Sequence, residues 1–296
     1  MNYPIIKNRK IWFMLSTAMA VASVVCIVAF GLRFGIDFRG GSLLEVTISD
    51  ATSSEQVRST ILGAGFDGAS VQTSGEHGFI LRTLELSEQR HQELFSALDE
   101  EYEEVVEMRF DSVGPVIGNE LRRTAIWGVV ITLVLIGVYV AWAYRGVSKP
   151  VAAWKYGVLT ILASIFDILV PVGIFALLGE IYGWEIGATF VAAILTILGY
   201  SINDKVVIFD RTRENLLKGL HTSFEETVET SVNQTLGRSI NTGTATLLAL
   251  LTIFLFGGDS TKSFALTLMI GIIVGTYSSI FLASPALVTW EHFSKK

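Results

Sequence analysis

The chain has 296 residues, of which 51% are hydrophobic and only 17% are charged, with a formal net charge of −6. In soluble domains about a quarter of the residues are charged, so this composition argues against a soluble protein. The single cysteine, Cys26, excludes an intramolecular disulfide, and neither a phosphate-binding glycine loop nor a histidine metal motif occurs. We therefore expect no nucleotide site, no metal, no cofactor and no enzymatic activity.

Six apolar stretches are long enough to cross a lipid bilayer, which takes about 20 residues of helix. The first is too long for a cleaved signal peptide and lacks a small-residue cleavage site, so we interpret it as a retained helix. The sequence predicts a membrane α-helical protein with six transmembrane helices. The stretches cover residues 11–32, 125–144, 156–178, 186–209, 240–256 and 264–288.

Basic residues collect before the first span, after the second, after the fourth and at the end of the chain. The loops after the third and fifth spans are poor in lysine and arginine. Because basic loops stay in the cytoplasm, this pattern predicts that both termini are cytoplasmic. The residues concerned are Lys7, Arg9, Lys10, Arg145, Lys149, Lys155, Arg211, Arg213, Lys218, Lys295 and Lys296.

Residues 33–121 form a polar block between the first two spans, with 6 Arg, no Lys and 17 Asp and Glu, a formal charge of −11. Alternation, capping serines and glycine turns predict strands and helices in the order βαββαβ, that of a ferredoxin-like α+β domain. A plain spacer is the alternative interpretation. The predicted organisation is an N-terminal segment with helix 1 (1–32), an extracytoplasmic domain (33–121) and helices 2–6 with their cytoplasmic loops (122–296).

The third span contains Asp167 near its middle. Pro171 follows four residues later and removes the backbone hydrogen bond to the carbonyl of Asp167. A hydrated kink would make Asp167 part of a proton path, whereas a dry helix would make it a polar clasp between helices. Both interpretations stay open at this point.

The fourth span contains Asp204, about 9 Å inside its cytoplasmic end. A carboxylate deep in a bilayer costs about 2.5–3.5 kcal/mol on insertion scales, so it should face the bundle and have a partner. Lys205 points about 100° away from it, and we expect this side chain to reach toward the inner interface. Arg238 in the fifth span is the expected partner, with Thr242 and Thr246 on its face as a hydrated path. A simple anchoring role explains Arg238 about equally well.

Small residues recur every four positions in the sixth span, at Gly271, Gly275 and Ser279. Small side chains let helix backbones approach closely in a membrane. This spacing predicts a helix-packing face rather than a chemical site.

Five segments spread in order along the whole chain carry a family resemblance. They are GLRFGIDFRGGSLLEV (31–46), VGPVIGNEL (113–121), GYSINDKVVIFDRTREN (199–215), SVNQTLGRSINTGTATL (231–247) and GTYSSIFLASP (275–285). Together they resemble the SecD/SecF family of bacterial protein-export membrane proteins, in the resistance–nodulation–division superfamily, and its SecF branch in particular.

The resemblance implies a SecD–SecF complex beside the SecYEG channel, where proton entry drives late export of unfolded preproteins. It implies a multi-pass protein of the bacterial inner membrane, with residues 33–121 in the periplasm and no nucleotide or nucleic acid as a partner. A small-molecule antiporter of the same superfamily and a passive membrane scaffold are the competing interpretations. The chain's one small outer domain argues against the antiporter.

The resemblance also implies roles for individual residues. Asp204 matches the proton-carrying aspartate, Arg238 and Thr242 match its partners, and a supporting role falls to Asn203, Asp167 and Thr246. The glycine signature before the outer domain is matched by Gly35, Asp37, Gly40 and Gly41. The chain departs from the family at Lys205, where a small or hydroxyl residue is usual, and at Phe166, where a histidine often precedes the aspartate.

Overall fold

The computed structural model describes residues 3–50, 53–75, 77–146, 150–219 and 223–294, so Lys149, Lys295 and Lys296 lie outside the described residues. Its elements in chain order are α1 (Arg9–Phe30), α2 (Ile36–Arg39), β1 (Gly41–Ile48), α3 (Ser54–Gly63), β2 (Ser70–Ser74), β3 (Gly78–Thr83), α4 (Glu88–Glu101), β4 (Val105–Val113), α5 (Pro115–Ala143), α6 (Ala153–Tyr182), α7 (Ala188–Leu217), α8 (Phe224–Phe256), α9 (Asp259–Ser278), a π-helical turn (Ser279–Ala283) and α10 (Ser284–Ser294).

Six helices in the described residues are long and apolar enough to cross a membrane, which confirms the predicted number. They are α1, α5, α6, α7, α8 and the continuous run Thr261–Ser294. The fifth differs most from the prediction, because α8 begins at Phe224 rather than near residue 240. Its 33 residues make a helix of about 50 Å, longer than the bilayer's hydrocarbon core of about 30 Å. A hydropathy pattern therefore misses its polar first half.

The chain divides into two compact units, one of residues 34–126 and one of residues 1–33 and 127–296. In the smaller unit, called the outer unit below, four antiparallel strands are ordered β2–β3–β1–β4. Leu44 and Leu81 on the strands pack with Ile61 and Leu94 on helices α3 and α4 in a buried core. This arrangement confirms the predicted ferredoxin-like α+β fold.

The glycine signature forms the corner at which β1 begins. Gly35 precedes the short helix α2, whose first turn contains Asp37. Gly40 and Gly41 follow with φ angles of +77° and +131°, which glycine adopts without steric penalty. A Cβ on Gly40 would lie 2.7 Å from Cα of Pro115, and one on Gly41 would lie equally close to a backbone carbonyl oxygen. The two glycines are therefore required by the close approach of backbone segments.

We expect the outer unit to fold by itself, because its core and its sheet are complete within residues 34–126. Expressed alone, these residues should give a circular dichroism spectrum with both helix and strand and a cooperative thermal transition. A random-coil spectrum would contradict the prediction.

In the membrane unit, α6, α7 and the sixth span form the centre. In the most apolar segment of each of these three helices, 44–56% of the residues are buried, whereas in α1, α5 and α8 the share is 11–17%. The predicted small-residue face of the sixth span packs on α7, where a Cβ on Gly275 would lie 2.8 Å from Cβ of Ser201. The peripheral helices leave long apolar faces for lipid or for another protein.

The segment before α1 is bound to the polar first half of α8. The Glu229 carboxylate accepts hydrogen bonds from the backbone N–H groups of Ile5 (2.6 Å) and Ile6 (2.9 Å). Arg9, at the start of α1, forms an ion pair of 3.0 Å with Glu225. The first two contacts satisfy backbone donors of the turn that precedes α1, and together with the ion pair they fix α8 relative to the start of α1.

Candidate functional site

Asp204 lies inside the membrane unit with two hydroxyl groups as its partners. Its side chain is 4% exposed. Ser239 Oγ on α8 donates to Oδ1 at 3.1 Å, and Thr276 Oγ1 on α9 donates to Oδ2 at 3.3 Å. No ion pair involving Asp204 occurs among the described residues. Because a hydroxyl both donates and accepts, these partners can form hydrogen bonds with the ionised and with the protonated carboxyl, although they compensate no charge.

Arg238 does not contact Asp204, which corrects the expectation that it is the neighbouring cation. Its side chain is exposed, and no hydrogen bond or ion pair of its guanidinium occurs among the described residues. The reason is the helix geometry of α8: Ser239 faces Asp204, so its neighbour Arg238 points about 100° away.

The remaining predicted residues of the fourth and fifth spans also lie on exposed or partly exposed positions. Thr242 is exposed and donates to the carbonyl oxygen of Arg238 (2.9 Å), and Thr246 donates to that of Thr242 (3.0 Å). Asn203 is exposed on α7. The predicted row of hydroxyls therefore runs along a face of α8 that the described residues leave uncovered, on the side of Arg238.

Lys205 is fully buried, so the prediction that it extends to the inner interface is wrong. Its Nζ donates to Asp167 Oδ2 at 2.6 Å, and both side chains are 0% exposed. Ser201 Oγ donates to the same oxygen at 2.7 Å. A buried charge is stable in a protein only when it is paired and hydrogen-bonded, and α6 supplies the pairing carboxylate. Asp167 therefore links α6 to α7 through these two contacts.

Sequence reasoning missed Ser239, Thr276 and Ser201 as members of the site. One signal was available, because Ser201 and Lys205 are four residues apart and so share one face of α7. Thr276 and Asp204 are 72 residues apart in the chain, so no local sequence pattern indicates their contact.

The sixth span changes its helical winding just beyond this site. Ser279 Oγ donates to the carbonyl oxygen of Gly275 at 2.7 Å, and Ser284 Oγ donates to that of Ser279 at 2.8 Å. Pro285 has no N–H, so the regular hydrogen-bond ladder is interrupted there, and the chain forms a π-helical turn over Ser279–Ala283. Such turns occur frequently at functional sites in helices.

Comparison with known proteins extends the likeness over nearly the whole chain. The family model described as protein export membrane protein SecD/SecF, C-terminal, matches residues 93–292, and the SecD/SecF GG motif matches residues 27–52. The second match contains the corner formed by Gly40 and Gly41.

Curated relatives and a solved structure agree with the family models. The protein translocase subunit SecF of Thermobaculum terrenum is 40% identical over 97% of this chain and 94% of its own length. The translocase subunit SecDF of Thermus thermophilus is 35% identical over 94% of this chain and 37% of its own length. The crystal structure titled as SecDF, a translocon-associated membrane protein from that organism, superposes with a TM-score of 0.87 at 33% identity, covering 99% of this chain and 39% of the SecDF chain. The chain thus spans about two-fifths of SecDF, and it belongs to the SecF branch of the SecD/SecF family of protein-export membrane proteins.

Proposed function

We propose that this chain couples proton movement to late-stage export of preproteins through the Sec translocase, with Asp204 as the proton carrier. The observation that carries the proposal is the environment of Asp204. It is a buried carboxyl inside a membrane bundle, and its hydrogen-bond partners are two hydroxyls on two other helices.

The protonated carboxyl is uncharged and is accommodated by these hydroxyls at low cost. The ionised carboxylate needs water or a cation, because its hydroxyl partners compensate no charge. Protonation of Asp204 therefore favours one arrangement of α7, α8 and the sixth span, and release of the proton favours another. One charge crossing the membrane supplies about 2.3 kcal/mol per 100 mV, and shifting a two-state element almost completely takes about 5.5 kcal/mol. The free energy that one or two protons supply per cycle is therefore of about the size that this shift requires.

A SecD chain is the proposed partner on the exposed face of α8. Arg238 and Thr242 lie on that face, and a guanidinium within a membrane span needs a carboxylate or water to be stable there. A relative that carries SecD and SecF in one chain, of which this sequence covers 37%, supports a partner of this kind. In the complex, movement of a SecD helix against α8 would bring Arg238 toward or away from Asp204.

The proposed setting is the bacterial inner membrane beside the SecYEG channel. Both termini are cytoplasmic, and the acidic domain of residues 33–121 stands in the periplasm, where it meets unfolded preprotein. The distribution of basic residues in the cytoplasmic loops supports this orientation.

Asp204→Asn tests the proposal. The amide keeps the size and polarity of the side chain but carries no exchangeable carboxyl proton. In membrane vesicles that contain the partner and the translocon, the variant should translocate a preprotein only at the rate measured without a proton-motive force. Expression and copurification with the partner should match the wild type.

Asp210→Asn is the matched control, since Asp210 lies on the same helix but is exposed. It should keep the full stimulation by the proton-motive force. If Asp204→Asn kept that stimulation as well, Asp204 would be only a polar clasp between α7, α8 and α9, and the passive scaffold would be the better account.

A further inference from the structure

A buried ion pair lies beside Asp204 and has no part in the function proposed above. Lys205 Nζ and Asp167 Oδ2 are 2.6 Å apart, with both side chains fully buried. We infer that Lys205 is a tethered cation that keeps Asp167 ionised, so that Asp204 is the one proton-exchanging carboxyl of the two buried aspartates in the described bundle. This inference rests on the proposed proton-carrier function and adds the residue that selects the carrier.

The two aspartates differ in what donates to them. Asp167 Oδ2 receives an ammonium and the hydroxyl of Ser201, whereas Asp204 receives two hydroxyls. Ser201 Oγ is also within 3.4 Å of the carbonyl oxygen of Gly275, so the pair is enclosed by α6, α7 and α9. An opposite charge in contact favours the ionised carboxylate, and this effect is strong where water is excluded.

Neither member of the pair has a second ion-pair partner among the described residues. On the helices packed against α6 and α7, the described charged side chains other than Asp204 lie near helix ends or, like Arg238, on an exposed face. The sixth span contacts the pair's neighbour Ser201 through uncharged groups, namely the hydroxyl of Ser279, which donates to the carbonyl oxygen of Ser201 at 3.4 Å, and the carbonyl oxygen of Gly275. Lys205 is thus the cation that compensates Asp167.

The second oxygen of Asp167 indicates what happens when the ammonium is removed. Oδ1 is buried and has no hydrogen-bond partner among the described residues, and the same holds for Ser164 Oγ three residues earlier on α6. A proton taken from the aqueous side can therefore bind to Oδ1 without displacing a donor. Without Lys205, the cheapest state of the buried carboxylate is the protonated one.

Infrared difference spectroscopy of the protein in lipid tests the inference directly. The carboxylic acid C=O band of buried groups is followed across a pH titration, and bands from exposed carboxyls cancel between variants. Glu291 is also buried, but it is unchanged in every variant, so any band from it cancels as well. The wild type should then show one buried titrating band that differs between variants, and Asp204→Asn should remove it completely. A buried band that remains in Asp204→Asn and is lost on adding Asp167→Asn would show that Asp167 exchanges protons beside Lys205, and would overturn the inference.

Charge removal gives the reciprocal result. Asp204→Asn combined with Lys205→Met should gain a new buried titrating band, and adding Asp167→Asn should abolish it. Asp204→Asn combined with Lys218→Met, which neutralises an exposed lysine directly after α7, should gain none. Absence of the band in a folded Lys205→Met protein would contradict the assignment of Lys205.

Preprotein translocation supplies the functional readout. Lys205→Met should lose stimulation by the proton-motive force or shift its pH profile, because a second carboxyl now competes for the proton. The neutral double variant Asp167→Asn/Lys205→Met should restore the wild-type profile. A double variant that assembles but stays inactive would make the pair part of the proton path and overturn the inference. Full activity of Asp204→Asn would instead defeat the proposed function, while the infrared bands still report on Asp167.

Discussion

Replacing Arg238 by alanine is expected to abolish the stimulation of translocation by the proton-motive force, while leaving the stability of the isolated chain unchanged. The guanidinium is exposed and has no partner among the described residues, so the chain's own fold loses no contact. It is nevertheless the residue next to Ser239, which donates to Asp204, and the exposed face of α8 is where a SecD helix is proposed to bind.

Ser239→Ala is the informative comparison, because Ser239 is the next residue on α8 and donates directly to Asp204. Loss of that buried donor should lower the unfolding free energy of the isolated chain by about 1–3 kcal/mol. Thermal unfolding of both variants in one detergent, followed by copurification with the partner and translocation in vesicles, separates the two roles. Arg238→Lys keeps the charge and should retain part of the activity.

A stability loss in Arg238→Ala larger than that in Ser239→Ala would show that Arg238 supports the chain's own fold. The opposite finding, normal stability with normal stimulation, would reduce Arg238 to an orientation signal of the kind that basic residues supply at the cytoplasmic side.

Most of the fold was predictable from the sequence because its signals are local and repeated. A span needs about 20 apolar residues wherever it stands, and strands and caps in the outer unit follow short patterns such as Ser53 and Ser87 before α3 and α4. The ends of the spans were less predictable. The polar first half of α8 is helical through capping and through packing with the N-terminal segment, which hydropathy does not record.

The burial of the two intramembrane aspartates was predictable, but their partners were not. An intramembrane carboxylate is costly anywhere, which singles out Asp204 and Asp167 from composition alone. Which neighbour reaches them depends on helix rotation, and one residue along a helix changes the direction by about 100°. Because of this difference, Ser239 rather than Arg238 lies beside Asp204, and Lys205 lies inside the bundle next to Asp167.

The second large effect is expected at the glycine corner, where Gly40→Ala should destabilise the outer unit far more than Gly68→Ala. Both glycines have a positive φ, +77° and +76°, so alanine is strained at both positions, and Gly40, with a ψ of 162°, lies in a region essentially restricted to glycine. A Cβ at Gly68 meets no atom within 4 Å, whereas at Gly40 it would lie 2.7 Å from Cα and 2.9 Å from N of Pro115, backbone atoms that cannot rotate away. We therefore expect Gly40→Ala to lose at least about 2 kcal/mol more unfolding free energy than Gly68→Ala, in the range of severe core overpacking.

Urea unfolding of residues 34–126 followed by circular dichroism, with pulse proteolysis of the full chain in membranes as a second measurement, gives both values. Equal losses in the two variants would mean that the corner relaxes and that the glycine signature serves something other than backbone packing.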